Sequence, residues 1–161
     1  MWREMKDVMG ALSSCYAELV KVSEAKHKAL ATMDLKAIER VVKEEERFAA
    51  EIERLETRRK EVLRALAESR ASIEPTMKLR DLCRLCPDRS LAERLESLAE
   101  ELEQRMNDVR RLSENNALLA ESALAAVTAN LNRIGGTTAG ASYGAGGKES
   151  VTRRQRFDFK A

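Results

Sequence analysis

The sequence predicts an all-α protein: an elongated antiparallel three-helix coiled-coil bundle with a short corner helix and a flexible Gly-rich C-terminal tail. Three observations carry this. Of 161 residues, 35% are charged, 4% are aromatic and 2 are proline, with Ala, Leu, Glu and Arg dominant, a balance that favours long helices over sandwiches and barrels. Apolar residues recur at alternating spacings of 3 and 4 through three long stretches, the pattern of helices packed along their length. Six of the 7 glycines lie between positions 135 and 147, where no comparable seam continues.

Helix one is expected over residues 2–30, with Met5, Val8, Leu12, Cys15, Leu19 and Val22 as its seam. The stretch from Ala31 to Asp34 breaks the period, and Asp34 suits an N-cap because its carboxylate can accept from amides of the next turn. Helix two is expected over 34–73, its seam running Ile38, Val41, Glu45, Phe48, Ile52, Leu55, Arg59, Val62, Leu66, Ser69 and Ile73. Pro75 and Pro87 bound a short helix over about 76–86 that carries Met77, Leu79, Leu82 and Leu85, since proline neither donates an amide nor tolerates a helical residue before it. Ser90-Leu91-Ala92-Glu93 reads as a capping box opening helix three, residues 90–134. That helix carries Leu91, Leu95, Leu98, Leu102, Val109, Leu112 and Leu119 on one stripe, interrupted by Arg105 and Asn116. At about 1.5 Å per residue the three helices come to roughly 44, 60 and 67 Å. Short connections make them run up, down and up, and the corner helix is placed to cover apolar surface that the shorter helix one leaves bare. Residues 1–134 therefore read as a helical bundle and 135–161 as a tail too rich in Gly, Ser and Thr to bury a core.

Charge and chemistry exclude several functions. The net charge is +2, which gives no field for nucleic acid. Residues 148–161 hold five basic residues against two acidic ones, a net of +3, and leave −1 for the rest. No apolar run is long enough to span a membrane and no secretory leader is visible, so no membrane insertion is expected and a cytoplasmic location is. Three cysteines, Cys15, Cys83 and Cys86, are too few and odd for a disulfide framework. Cys83-Arg84-Leu85-Cys86 has the spacing of a zinc half-site or redox pair, but no second half accompanies it, and the pair reads as small apolar fillers of the corner. His27, the one histidine, lies between Lys26 and Lys28 and reads as solvated. The carboxylates of Glu44-Glu45-Glu46 and Glu100-Glu101 interleave with Arg and Lys as on an exposed helix face. No phosphate loop, nucleophile, metal set or cofactor motif stands out, and the chain is not expected to be an enzyme. Arg153-Arg154-Gln155-Arg156 fits a phosphate or an acidic protein partner equally well.

The most informative irregularity is in helix three. Its seam continues through Ala123, Ala126 and Asn130, while the large apolar residues move one position on, to Leu124, Val127, Leu131 and Ile134, about 100° around the helix. Two readings fit: a local stutter absorbed by the bundle, or an apolar face presented to a partner helix.

The order of these features, with Asn115-Asn116-Ala117-Leu118-Leu119-Ala120-Glu121-Ser122 on the third helix and Tyr143-Gly144-Ala145-Gly146-Gly147 in the Gly-rich segment, resembles the FlgN family of flagellar type III export chaperones. Members often carry Asn-Gly where this chain has Asn115-Asn116. The resemblance implies a cytoplasmic chaperone that binds the C-terminal helical region of hook–filament junction (hook-associated) proteins and delivers them to the export gate. It implies client contact through the C-terminal part of the helices, here Leu118, Leu124, Val127, Leu131 and Ile134, and docking of Tyr143 on the gate's cytoplasmic domain. The alternative is a structural coiled-coil adaptor that self-associates into a homo-oligomer without a chaperone role.

Overall fold

The structure, a computed structural model, describes the backbone of residues 1–137 and the side chains of residues 1–135. It contains four helices, α1 (Trp2–Ala31), α2 (Leu35–Ser69), α3 (Leu79–Arg84) and α4 (Arg89–Thr137), and no strand among the described residues. Two compact units divide the chain, Met1–Ala125 and Ala126–Ala161, so that α4 contributes to both.

The turn between α1 and α2 is built from backbone bonds that terminate one helix and a side chain that starts the next. Asp34 N donates to Ala29 O (3.0 Å) and Met33 N to Leu30 O (3.2 Å), the paired bonds of a Schellman motif. Met33 takes the left-handed conformation this requires, with φ 55°. The Asp34 carboxylate then accepts from Ala37 N at 3.0 Å, as its cap assignment anticipates.

At its far end α2 stops at Ser69, four residues short of the expected limit. Arg70 is extended, and Ile73 is reached through a turn in which its amide donates to Arg70 O at 3.0 Å. Pro75 biases Glu74 against helical geometry, and the early exit puts Ile73 into the same buried cluster as Leu82 and Cys83 of α3. Arg70 Nη1 donates to Leu85 O (2.9 Å), and Arg80 pairs with Glu103 (2.8 Å), linking α3 to the end of α2 and to α4.

The start of α4 also differs from expectation. Asp88, not Ser90, is the capping residue: its Oδ1 accepts from Leu91 N at 3.1 Å and its carbonyl from Ala92 N at 2.9 Å. Asp88 directly follows Pro87, where the chain is already turned out of the preceding helix. Its carboxylate takes the free amides two residues before the Ser90 hydroxyl can. Glu93, the other half of the expected box, pairs with Arg89 at 3.1 Å.

Within Met1–Ala125 the three long helices form an up-down-up bundle. The ion pairs Arg58–Glu4 and Lys26–Glu45 (2.6 Å) fix α2 antiparallel to α1. Bonds from Arg105 to Ser13 and from Asn116 to Ser23 run α4 parallel to α1 at sequence offsets of 92 and 93. The main core joins Met5 and Met9 of α1, Val62, Leu63 and Leu66 of α2, Ile73, Leu82 and Cys83 of the corner, and Leu95, Leu98 and Ala99 of α4. A second layer joins Val8, Leu12, Leu55 and Leu102. Each fully buried leucine or methionine contributes about 1.5–3 kcal/mol. The concentration of these residues around α3 makes the corner helix part of the core.

Candidate functional site

The α4 stripe predicted from the sequence is buried along its first half and changes character at its polar interruptions. Leu95, Leu98 and Leu102 are buried, and Val109 and Leu112 are half-buried. Arg105 does not interrupt the packing: its guanidinium donates to Ser13 O at 2.7 Å and to the Ser13 hydroxyl, while Ser13 itself is buried. Asn116 is only 3% exposed. Its Nδ2 donates to Ser23 O at 2.8 Å, and its Oδ1 lies 3.1 Å from His27 Nδ1, positioned to accept from the imidazole N–H. His27 is exposed, as a solvated residue should be, but it also has this specific partner. Polar side chains at seam positions of a heptad are the signal that marks these contacts in advance; their partners, two serines on α1, are not legible from spacing.

At the α1–α4 offset of 92 to 93 residues, the last residue of α1, Ala31, is level with residues 123–124 of α4. There the seam weakens: Leu119, Ala120 and Ala123 are half-buried. In the first unit Leu118 and Leu124 are 65% and 66% exposed, and in the second Val127, Leu131 and Ile134 are 40%, 62% and 60% exposed. Every described residue from 124 to 135 is exposed. At 100° per residue, Val127, Leu131 and Ile134 fall within an arc of about 60° on the second unit's part of α4, whereas in the first unit Leu118 and Leu124 lie about 120° apart. The second unit therefore brings Val127, Leu131 and Ile134 to one face, and the first unit holds Leu118 and Leu124 on different faces. Tyr143 and the Arg153–Arg156 cluster lie outside the described residues.

The corner thiols have the properties of packing groups. Cys83 is fully buried, and burial, followed by the nearby Glu96 and Cys86, pushes its thiol up from 9.0 to about 11. That opposes the thiolate a redox or zinc site uses at neutral pH. Cys86 is half-buried and its Sγ donates to Asp88 O at 3.5 Å. Among the described residues no group of three His, Cys, Asp or Glu side chains is placed to hold a metal ion, and no helix is long and apolar enough to cross a membrane. An open groove runs along α2 beside Lys36, Arg40, Lys43 and Arg47, with Glu39 and Glu44 interleaved. Lys43 is already paired with Glu39 at 2.8 Å, and Arg47 lies 4.6 Å over the Phe48 ring.

The described residues thus form a helical scaffold with exposed large apolar side chains toward the end of α4. Among known families, the model described as "FlgN protein" matches residues 1–150. Comparison with curated proteins and with solved structures found no match.

Proposed function

The chain belongs to the FlgN family, a family of flagellar export chaperones, and from that premise we propose that it binds hook–filament junction proteins in the cytoplasm and delivers them to the type III export gate. The observation that carries the client site is the exposure of Leu124 in the first unit and of Val127 and Leu131 in the second, with Ile134 at the next step of the same 3–4–3 sequence spacing. That spacing fits an amphipathic helix laid along α4 with its own apolar positions at i, i+3, i+4 and i+7. A client's C-terminal helical region has the required chemistry, and its capture would cover side chains that water otherwise surrounds. Leu118, on a different face, serves as a peripheral contact to a client that wraps the helix.

Client binding and gate docking fall to separate parts of the chain. A preformed helix limits the entropy lost on client binding, whereas docking on the gate must be made and broken for each cargo. Tyr143, an aromatic side chain in a Gly-rich sequence, supplies a large contact with few torsions to order. Tyr143→Ala should keep client affinity and lose affinity for the gate's cytoplasmic domain; full gate affinity in that variant would remove the assignment.

Light scattering on a sizing column, with the chain alone and mixed with a purified hook–filament junction protein, tests the proposal as a whole. A discrete complex with the junction protein is expected. Self-association of the chain that excludes the junction protein would favour the coiled-coil adaptor instead.

A further inference from the structure

Two faces of α4 compete for the inside of the bundle, and the structure buries the one with the smaller side chain at its last layer. Ala123 is half-buried while Leu124 is 66% exposed. Rotating the helix by about 100° would exchange them, and sliding it by one heptad would move it about 10 Å along α1. Apolar packing alone distinguishes such arrangements weakly, because hydrophobic attraction has no direction. Something directional must select among them.

We propose that Asn116, with Arg105, is a positioning residue that fixes the rotation and register of α4 against α1, and thereby keeps Leu124 out of the bundle. Asn116 is buried and uses both ends of its amide, donating to Ser23 O at 2.8 Å and facing His27 Nδ1 at 3.1 Å. Eleven residues earlier, three turns up the same seam, Arg105 grips Ser13 through both carbonyl (2.7 Å) and hydroxyl, and is braced by Glu101 at 3.5 Å. The offsets of the two contacts, 92 and 93, define a single register. Any slip or rotation buries an amide or a guanidinium without its partner, a penalty that falls on the wrong arrangements and not on the native one. This is the role a lone buried asparagine plays at a coiled-coil seam, where it selects register at some cost in stability. No side-chain nitrogen or oxygen buried among the described residues lacks a partner, so the native register satisfies both pins.

The inference holds whatever partner covers Leu124, and its test needs none. Spin labels at Ser14 and Glu121, both exposed, report the α1–α4 register in a chain whose three cysteines are replaced by alanine, compared with and without Asn116→Leu. The Asn116 chain should give one narrow distance distribution. Asn116→Leu should keep or raise the melting temperature and yet give a broadened or second distribution, displaced by several ångströms. A merely structural hydrogen bond would do the reverse, lowering the melting temperature with the distance unchanged. Asn116→Ala, which cannot overpack the site, covers the case in which leucine does not fold. A single distribution at the original distance in the folded variants, or loss of folding in both, would overturn the assignment.

Discussion

Replacing Leu98 by aspartate tests whether the seam through α4 is the organising core of the bundle. Leu98 is buried and shares a cluster with Met5, Met9, Leu66, Leu82 and Leu95, drawn from α1, α2, α3 and α4 itself. Losing the buried leucine side chain removes about 2–3 kcal/mol. Placing a carboxylate there without a partner costs several kcal/mol more. The sum is about 5 kcal/mol or above, which reaches the lower end of the stability of an ordinary domain. Leu98→Asp should therefore be largely unfolded at pH 7 by far-UV circular dichroism. The defect should also depend on pH in a definite direction. Burial raises the new carboxyl's pKa above its unfolded value of about 3.9, so stability is highest below that value, where the group is neutral in both states, and is lost as pH rises through the folded pKa. Relative to wild type at each pH, the variant should melt higher at pH 4 than at pH 7. Leu118→Asp is the control: at 65% exposure it should change stability by no more than about 0.5 kcal/mol. A Leu98→Asp protein melting within about 3 °C of wild type at pH 7, a difference of roughly 1 kcal/mol, would refute the heptad assignment.

Two further outcomes follow from local chemistry. Because burial raises the Cys83 thiol from 9.0 to about 11, the unfolded chain loses that proton first, and the stability Cys83 contributes is intact below pH 9 and lost as pH rises through about 11; urea titrations at pH 8 and 10.5 on wild type and Cys83→Ala should show the difference in slope, and at pH 8 a thiol reagent should modify half-buried Cys86 well before Cys83. Met33 sits at φ 55° and is 45% exposed, a conformation that disfavours a Cβ, so Met33→Gly should stabilise the α1–α2 turn by about 0.5–1 kcal/mol and raise the melting temperature by about 1–4 °C; a lower melting temperature would show that the methionine side chain, not the backbone, governs this turn.

Much of the fold is legible in the sequence because heptad spacing and helix caps are local signals. The Met5–Leu12 and Leu95–Leu102 stripes mark buried faces directly, and Asp34 announces the start of α2 by chemistry alone. The differences arise where two local signals compete or where tertiary packing decides. Ser90-x-x-Glu93 matches a capping box, but Asp88 beside Pro87 starts the helix two residues earlier by accepting from Leu91 N. Ile73 continues the α2 period, yet its burial in the corner cluster is achieved by leaving the helix at Ser69. The candidate client face is half legible. The one-residue shift to Leu124, Val127 and Leu131 is visible in the sequence, but within the first unit whether Leu124 is absorbed or exposed depends on where α1 ends relative to α4, and that offset is set by Arg105–Ser13 and Asn116–Ser23. Grouping Leu118 with that face follows motif proximity, which the 100° step of the helix does not respect.

The most direct test of the chaperone account is calorimetric titration of the C-terminal helical region of a hook–filament junction protein into the wild-type chain and into Leu124→Asp/Leu131→Asp. These leucines are 66% and 62% exposed, so covering each by a client helix contributes about 1–2 kcal/mol. Losing both predicts a fall in affinity of at least about 30-fold, with unchanged helicity and melting temperature. Wild-type affinity in the double variant would contradict the account, and collapse of the bundle would show that the two residues belong to its core.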